Sequence, residues 1–167
     1  MGKKKNYNCI CGETNSNNFY NKRRGRCKKC ILTGAKDKYS NLSESEKKCY
    51  IKKQNKWQDD NFLKYRLLSA KSRAKSKNIE FDLDIEFLEN IIKKQENKCY
   101  YSGIELQFKR LGPYTASIDR LNSSKGYTKD NITFVIGAVN TMKNDLSEEE
   151  FFKIIKSVYK KQNQKFH

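Results

Sequence analysis

The sequence predicts an α+β fold in which helices predominate, with a cysteine-rich module at the N-terminus and short β segments in the second half. Three observations predict it: two close cysteine pairs, apolar residues that recur at helical spacing, and short apolar or alternating runs bounded by turn residues. We expect three segments: a cysteine module (1–35), a basic helical segment (36–78) and a core with a C-terminal helix (79–167).

Positive charge is concentrated in the first half of the chain. The formal net charge is +17. Residues 1–78 contain 22 Lys and Arg against 6 Asp and Glu, whereas residues 79–167 contain 14 against 13. An excess of this size repels itself in the compact state and is best explained by a polyanionic partner. An AT-rich genome would also contribute to the many Lys and Asn residues, but the charge pattern favours nucleic acid as the partner.

No stretch approaches the roughly 18 consecutive apolar residues of a membrane span, which excludes a membrane partner. The N-terminal residues Met1-Gly2-Lys3-Lys4-Lys5 lack the apolar region of a secretory signal. We therefore expect an intracellular protein that is not secreted, in the cytoplasm or nucleoid, or associated with a nucleus or a virus. In a reducing compartment, clustered cysteines are more often metal ligands than disulfides.

Two cysteine pairs, Cys9-x-Cys11 and Cys27-x-x-Cys30, are separated by 15 residues. Four thiolates on two tight turns can surround zinc tetrahedrally, and the metal then replaces the core that so short a module lacks. We expect one structural zinc ion per chain, because four protein ligands leave no open position; free thiols and two disulfides are the alternatives. Arginines expected to contact phosphate from this module are Arg23, Arg24 and Arg26.

Capping patterns and apolar spacing predict two basic helices. Ser43-x-x-Glu46 opens a helix to about residue 57, and a second helix spans about 61–77. The narrow apolar stripe of the second helix consists of Leu63, Leu67, Ala70 and Ala74. Its other faces are basic and contain no acid after Asp60, so we expect DNA contact there. The residues expected to make it are Lys64, Lys71, Arg73 and Lys75.

Turn residues and short apolar runs organise the second half. Residues 79–83 alternate like a strand, and Asp84 caps a helix to about residue 97. We expect strands at 104–108 and 115–119 to form a β-hairpin around Gly112-Pro113, and a helix at about 137–144. Ser147-x-x-Glu150 caps the last helix. Side chains expected to be buried by that helix are Phe151, Phe152, Ile155, Val158 and Tyr159.

A carboxylate and a carboxamide, Asp119 and Asn140, stand 21 residues apart on two elements that could pack together. Oxygen ligands of this kind suit Mg²⁺ or Mn²⁺, which keep several waters and accept phosphate oxygens. Such an ion can stabilise the charge on a cleaved phosphodiester. By themselves these residues do not decide between a metal site and structural roles. Asp119 could form a surface ion pair with Arg120, and Asn140 could be a turn-forming residue.

The motif order is more specific than either residue. Asp119-Arg120, Gly126-Tyr127-Thr128, Asn131-Ile132 and Asn140-x-x-Lys143 resemble the ββα-metal core of the HNH (His-Me finger) nucleases. From the cysteine module through Arg73-Ala74 and Cys99–Gly103 to near Glu150, the chain resembles PacI-type restriction endonucleases and related phage or viral HNH proteins. The resemblance implies a metal-dependent endonuclease that hydrolyses phosphodiester bonds in double-stranded DNA. It would be sequence-specific, as a restriction or homing enzyme is, and a homodimer if it cuts both strands of a palindrome.

The resemblance also implies roles for single residues. Asp119 and Asn140 match the ligands of the catalytic Mg²⁺ or Mn²⁺ ion. Asn131 matches an asparagine that holds the loop and the hairpin together. Tyr101 matches a tyrosine that lies near the scissile phosphate. Arg120 stands where the usual histidine acts as general base. Because His167 is the one histidine, we expect Tyr101 to act as base through a water, with Arg120 and the metal lowering its pKa. Arg120 would also stabilise the transition state. Two alternatives stay open: Tyr100 or Tyr127 supplies the catalytic phenol, or Tyr101 only packs against the hairpin.

Two departures from the family pattern leave other functions open. Similar proteins carry a second cysteine-rich zinc site, but here Ser102, Ile136 and Val139 stand at its positions. We expect apolar packing there, with Cys99 in the core. Together with the missing histidine, this loss keeps a catalytically decayed zinc-module DNA-binding protein as the alternative function. An RNA-binding or RNA-cutting protein is a third.

Overall fold

The computed structural model describes Cys9, Cys11, Asn15, Asn18 and residues 27–164. Its helices and strands are α1 (Lys28–Ser40), α2 (Glu44–Asp60), α3 (Phe62–Lys77), α4 (Ile85–Lys94), β1 (Ala116–Arg120), β2 (Ile132–Ile136), α5 (Gly137–Lys143) and α6 (Glu148–Asn163). The chain divides into two compact units, Met1–Lys53 and Gln54–His167. The boundary differs from the predicted divisions after residues 35 and 78. Helix α3 belongs to the second unit because Phe62, Ala70 and Ala74 are buried in its core.

The second unit is an α+β fold around a two-stranded sheet. β1 and β2 pair antiparallel, with Asp119 opposite Thr133 and Ala116 opposite Ile136. Helix α5 follows β2 directly, so the two strands and this helix form a ββα unit. All five residues of β2 are buried. The fold class predicted from the sequence is therefore confirmed.

The predicted hairpin between 104–108 and 115–119 is wrong. In the described chain, 104–108 makes isolated bridges, Lys98 with Glu105 and Gln107 with Thr115, and no ladder. The ladder joins β1 to β2 across the loop 121–131. This pairing is preferred because β2 is apolar and buried along its whole length, whereas 104–108 is exposed at most positions. Residues 79–83 likewise contribute one bridge, Phe81 with Tyr127, instead of a strand.

A side chain closes the free edge of β2. The Gln95 Oε1 atom accepts hydrogen bonds from the Phe134 backbone N–H (2.9 Å) and the Thr133 hydroxyl (3.0 Å). Its Nε2 atom donates to the carbonyl oxygens of Phe134 (2.8 Å) and Lys98 (2.9 Å). Two of these four hydrogen bonds satisfy the Phe134 N–H and carbonyl groups, which an edge strand would leave unpaired. They also fix the start of the turn that carries Tyr101.

The predicted helix starts are confirmed by their caps. The Phe87 N–H donates to the Asp84 carboxylate (2.8 Å), and Ser147 with Glu150 forms a complete capping box. The expected burial along α6 is confirmed at Phe151 and in part at Ile155, but it is wrong at Phe152, Val158 and Tyr159, which are 43%, 56% and 66% exposed. Helix α6 packs near its first turn, and its later apolar residues extend beyond the core in the part of the chain that is described. Helix α1 was not predicted.

The expected apolar packing in place of a second zinc site is confirmed. Cys99 and Ile136 are buried, and Val139 packs against the same cluster. Among the helices of residues 27–164, none has the combination of length and apolar character that crossing a membrane requires.

Candidate functional site

One cavity of about 250 Å³ is lined by three of the four predicted catalytic residues and by one predicted DNA-binding arginine. We name it the mixed-charge cavity, because two arginines and two carboxylates line it. Its principal residues are Arg73, Asp119, Arg120, Tyr127, Asn140 and Asp145. They come from α3, the end of β1, the following loop and α5, so the ββα unit and the basic helix meet here.

Asp119 is a buried carboxylate at the end of β1, 5% exposed. Burial raises the pKa of its carboxyl group, and the Lys143 ammonium opposes that shift. The Lys143 Nζ lies 3.2 Å from Asp119 Oδ2, close enough for an ion pair. The oxygen nevertheless lacks a hydrogen bond of good geometry within the described residues. Asp119 therefore retains an oxygen that can accept a further ligand.

Lys143 is a second buried charged residue at this site, and its burial was not predicted from the sequence. Its side chain is completely buried, and its ammonium also donates to the Arg120 carbonyl oxygen (2.9 Å). It thus holds both the carboxylate and the backbone at the end of β1. The available signal was its position three residues after Asn140, which places the two side chains on neighbouring positions of one helical face.

Asn140 presents an oxygen to the same cavity. Its Nδ2 donates to the Ser117 hydroxyl (2.8 Å), which fixes the orientation of the amide. No hydrogen bond from the described residues engages its Oδ1. A carboxylate oxygen and an amide oxygen are the donor set that a hard divalent cation prefers. The residues present therefore fit Mg²⁺ or Mn²⁺.

Two arginines stack on the ring of Tyr127. The guanidinium carbon of Arg120 lies 5.2 Å and that of Arg73 5.5 Å from the ring centroid. Arg73 Nε also donates to the Tyr127 hydroxyl (2.9 Å), which leaves its two terminal nitrogens directed elsewhere. Arg120 instead donates to the Lys125 carbonyl oxygen (2.8 Å) and approaches Asp145 at 3.9 Å. Arg73 is exposed, whereas Arg120 is largely buried.

Tyr101 is not among the residues that line the mixed-charge cavity. Its ring packs against Tyr100, Phe151 and Phe152 at centroid distances of 5.0 to 5.6 Å. Its hydroxyl is buried without a hydrogen-bond partner. Burial raises the pKa of Tyr101, and the nearby Asp119 charge raises it further. Arg120 lies over the Tyr127 ring, and the expected lowering of the Tyr101 pKa by Arg120 together with a metal stays a prediction.

Asn131 joins β2 to the preceding loop. It is buried, its Nδ2 donates to the carbonyl oxygens of Asn122 (3.0 Å) and Gly126 (2.8 Å), and its Oδ1 accepts from the Asn122 N–H (2.9 Å). The loop is also held by a close backbone approach, since a Cβ on Gly126 would lie 2.5 Å from the Glu80 carbonyl oxygen. These contacts fix the loop in which Tyr127 lies.

The basic residues proposed for DNA contact are not equivalent. Arg73 lines the mixed-charge cavity, whereas Lys64, Lys71 and Lys75 are exposed on α3 and do not line it. Lys71 lies 5.8 Å from the Phe81 ring centroid. Arg23, Arg24 and Arg26 lie outside the described residues.

The four predicted zinc ligands are brought together in the first unit. The Sγ atoms of Cys9, Cys11, Cys27 and Cys30 all lie within 4.8 Å of one another. Tetrahedral zinc with bonds of about 2.3 Å would place sulfurs roughly 3.8 Å apart, so a small inward adjustment suffices. Backbone N–H groups lower the pKa of Cys9 to about 6, whereas neighbouring cysteines raise that of Cys30 to about 12. Four sulfurs this close cannot all be thiolates unless a cation compensates them, and this cluster suits zinc.

Comparisons with known proteins give distant relatives. No family model matches the chain. It is 31% identical over 88 residues to an uncharacterized 29.0 kDa protein of Enterobacteria phage T4. The aligned stretch covers 53% of this chain and 34% of that protein. It is 33% identical over 92 residues to an uncharacterized protein of Acanthamoeba polyphaga mimivirus, 55% of this chain and 15% of that protein. The chain thus spans about a third of the first relative and less of the second.

Among solved structures, the chain is similar to the rare-cutting HNH restriction endonuclease PacI. The similarity covers 95% of this chain and 97% of that one, with a TM-score of 0.42 and 17% identity. At this distance the likeness assigns no side chain, so the site described above rests on β1, β2 and α5 of this chain.

Proposed function

We propose that the protein is a metal-dependent endonuclease that hydrolyses phosphodiester bonds in double-stranded DNA at specific sequences, in the manner of a restriction or homing enzyme. The observation that carries the proposal is the mixed-charge cavity, where the carboxylate of Asp119 and the amide of Asn140 share one space with Arg73. Oxygen ligands for a cation and an exposed guanidinium for a phosphate are the groups that phosphodiester hydrolysis needs.

Asp119 and Asn140 would hold the Mg²⁺ or Mn²⁺ ion. When bound, the ion would supply stabilisation of the negative charge that develops on the phosphate and the leaving oxygen. Arg73 would bind a non-bridging oxygen of the same phosphate through its terminal nitrogens, with Tyr127 orienting it. Arg120 would hold the loop through its hydrogen bond to the Lys125 carbonyl oxygen. Because its side chain is largely buried in the cavity wall, it would contribute positive charge without contacting the phosphate directly.

Tyr101 remains part of the proposal in a changed role. Because its pKa is raised, the phenol is protonated at neutral pH and suits hydrogen-bond donation better than proton abstraction. Its buried hydroxyl, which lacks an acceptor, would donate to a group that enters with the substrate. A Tyr101→Phe variant removes this hydroxyl and keeps the ring packing, so a loss of kcat without loss of thermal stability would support the role.

One observation favours the alternative of a catalytically decayed DNA-binding protein. The Lys143 ammonium lies 3.2 Å from the oxygen that would bind the metal, and it already compensates the Asp119 charge. If Lys143 holds this position permanently, DNA would still bind to the arginines but would not be cut.

A cleavage assay separates the two functions. Wild type and Asp119→Ala are incubated with supercoiled plasmid and Mg²⁺ or Mn²⁺, and affinity for a DNA duplex is measured separately in chelator. We expect the wild type to cut the plasmid and the variant to cut it more slowly by roughly 10³-fold or more. Both should bind the duplex with similar affinity. Binding without cutting by the wild type would establish the decayed protein, and equal cutting by both would exclude the proposed site.

We also propose that the four cysteines hold one structural zinc ion and that the enzyme acts as a homodimer on palindromic sites. Metal analysis of the purified chain should give one zinc per chain and none after Cys27 and Cys30 are both replaced by serine. Sequencing the ends of digested DNA would show the recognition sequence and whether one or both strands are cut.

A further inference from the structure

A second cavity of about 510 Å³ adjoins the mixed-charge cavity. The two share Ser117, Asn140 and Thr141 in their walls. We name it the arginine cavity, because Arg66 and Arg110 line it and no carboxylate does among the described residues. The mixed-charge cavity balances its two arginines with Asp119 and Asp145. In the walls of the arginine cavity, no carboxylate of the described residues offsets Arg66 and Arg110, although Asp59 accepts a hydrogen bond from the Arg110 backbone N–H, so the cavity suits an anion.

Polar atoms without partners are concentrated in the walls of this cavity. Five buried side-chain nitrogen or oxygen atoms of the described residues lack a hydrogen-bond partner. Two of them, on Asp119 and Tyr101, belong to the region of the candidate active site. The other three are Nε of Arg66, Nε of Arg110 and Oγ1 of Thr115, whose side chains all line the arginine cavity. A buried donor that makes no hydrogen bond costs free energy, and a ligand with acceptor oxygens would recover that cost.

The Arg66 guanidinium and the backbone of Arg110 are each held by a contact. The Arg66 guanidinium carbon lies 4.9 Å from the centroid of the Phe62 ring, and Phe62 packs edge-on against Phe108. The backbone N–H of Arg110 donates to the Asp59 carboxylate (3.0 Å) at the end of α2. Burial lowers the pKa of Arg66, as does the nearby charge of Arg73. Guanidinium groups nevertheless stay protonated in proteins, so both remain cations that match phosphate geometry.

The position of the cavity relates it to the candidate active site. Arg66 and Arg73 are seven residues apart on α3, two turns on one face, which corresponds to roughly 10 Å along the helix. Phosphates of one DNA strand advance by about 3.4 Å along the duplex axis per nucleotide. A strand that places one phosphate beside Arg73 would therefore place another, two or three nucleotides away, at the arginine cavity.

We propose that the arginine cavity binds a backbone phosphate of the cleaved strand, two or three nucleotides from the scissile phosphate, through Arg66, Arg110 and the Thr115 hydroxyl. The proposal rests on the proposed function for its substrate, DNA. It assigns the site to binding and registering the strand, and assigns the chemistry to the mixed-charge cavity.

The test measures binding in chelator, where no cleavage occurs. The Arg66→Gln/Arg110→Gln double variant is compared with the wild type and with Lys93→Gln/Lys94→Gln, which removes the same charge from exposed positions of α4. For the arginine variant we expect duplex affinity to fall about tenfold at moderate salt, and the slope of log K against log salt to decrease in magnitude by about one, since one phosphate contact is lost. The lysine control should change both much less. Equal effects in the two variants would overturn the proposal.

A chemical substitution locates the phosphate and covers the case in which the double variant fails to fold. Duplexes carrying a single neutral methylphosphonate at successive positions are titrated against the wild type and against Thr115→Val, which keeps the shape of the side chain. We expect the wild type to lose affinity at a position two or three nucleotides from the cut, and Thr115→Val to lose less there. A wild type insensitive at every such position would overturn the proposal.

The two proposals fail in different ways. If the wild type does not bind DNA at all, the proposed function fails. If it binds and cuts but shows no sensitivity at Arg66, Arg110 or the neighbouring phosphates, this site fails and the nuclease stands. Titration with inorganic pyrophosphate, followed by the side-chain NMR signals of the arginines, shows whether the cavity binds this anion without DNA. A change in the signals of Arg66 and Arg110 supports the anion site. The absence of any change excludes it.

Discussion

The two adjoining cavities of the second unit differ in charge balance and in how their arginines are held. In the mixed-charge cavity, Asp119 and Asp145 face two arginines, and Arg73 is oriented by a hydrogen bond from its Nε to Tyr127. In the arginine cavity, Arg66 has no acid facing it in the described residues, and its Nε has no partner. The same residue type on the same helix therefore meets two different environments.

This difference teaches that charge balance separates chemistry from binding. Carboxylate and amide oxygens can hold a cation, and a fixed guanidinium beside them can stabilise charge that develops during reaction. Guanidiniums that no carboxylate in the same cavity offsets favour an anion, which suits the ground state of a DNA backbone. The three predictions that follow test this separation, from the largest expected effect to the smallest.

Removing the buried ammonium should have the largest effect. Lys143→Met leaves the Asp119 carboxylate buried without its ion-pair partner, so we expect a loss of about 3–5 kcal/mol in the free energy of unfolding. Asp119→Asn/Lys143→Met should recover most of that loss, because neither charge remains. Urea unfolding followed by circular dichroism measures both. Equal stability of the single and double variants would show that the ion pair does not set the charge balance of the mixed-charge cavity.

Arg73→Gln should lower kcat roughly 100-fold, as expected for loss of one preorganised donor to transition-state charge. Its matched control is Arg66→Gln, two turns earlier on the same helix, which should weaken DNA binding and leave kcat at saturating DNA unchanged. Single-turnover cleavage at several enzyme concentrations separates the two parameters. If both variants change only affinity, the cavities do not divide the work as proposed.

Tyr127→Phe should have the smallest effect. It keeps the ring on which both arginines stack and removes the hydroxyl that accepts from Arg73 Nε. We expect kcat to fall by about threefold to tenfold, on the order of one hydrogen bond of about 1 kcal/mol, with unchanged thermal stability and DNA affinity. A change in affinity instead of kcat would mean that Tyr127 positions Arg73 for binding alone.

The sequence predicted local features better than pairings. The caps at Asp84 and Ser147 were correct because a cap is formed by residues three positions apart. The hairpin was placed on 104–108 instead of β2 because strand pairing depends on which segment buries more surface against the rest of the core. Gly112-Pro113 marked a real turn, but a turn does not decide which strand lies on its far side.

The candidate site shows the same division. Motif order drew attention to Asp119, Arg120 and Asn140, which line one cavity, but spacing gave no means to place Tyr101 relative to it. The raised pKa of Tyr101 arises from burial, and its ring packs against aromatic side chains of its own segment and of the distant helix α6. The role of Lys143 likewise depends on its complete burial, and a lysine in a sequence is expected on the surface.

By itself, the sequence determined the α+β class, the positions of most helices, the clustering of four cysteines and the basic character of α3, because these follow from composition and from spacings of a few residues. Only the tertiary structure decided which strands pair, that Lys143 neutralises Asp119, and that Arg66 and Arg110, 44 positions apart, line one cavity. Those features are set by burial and by the balance of charges brought together from distant segments, and neither quantity exists until the chain has folded.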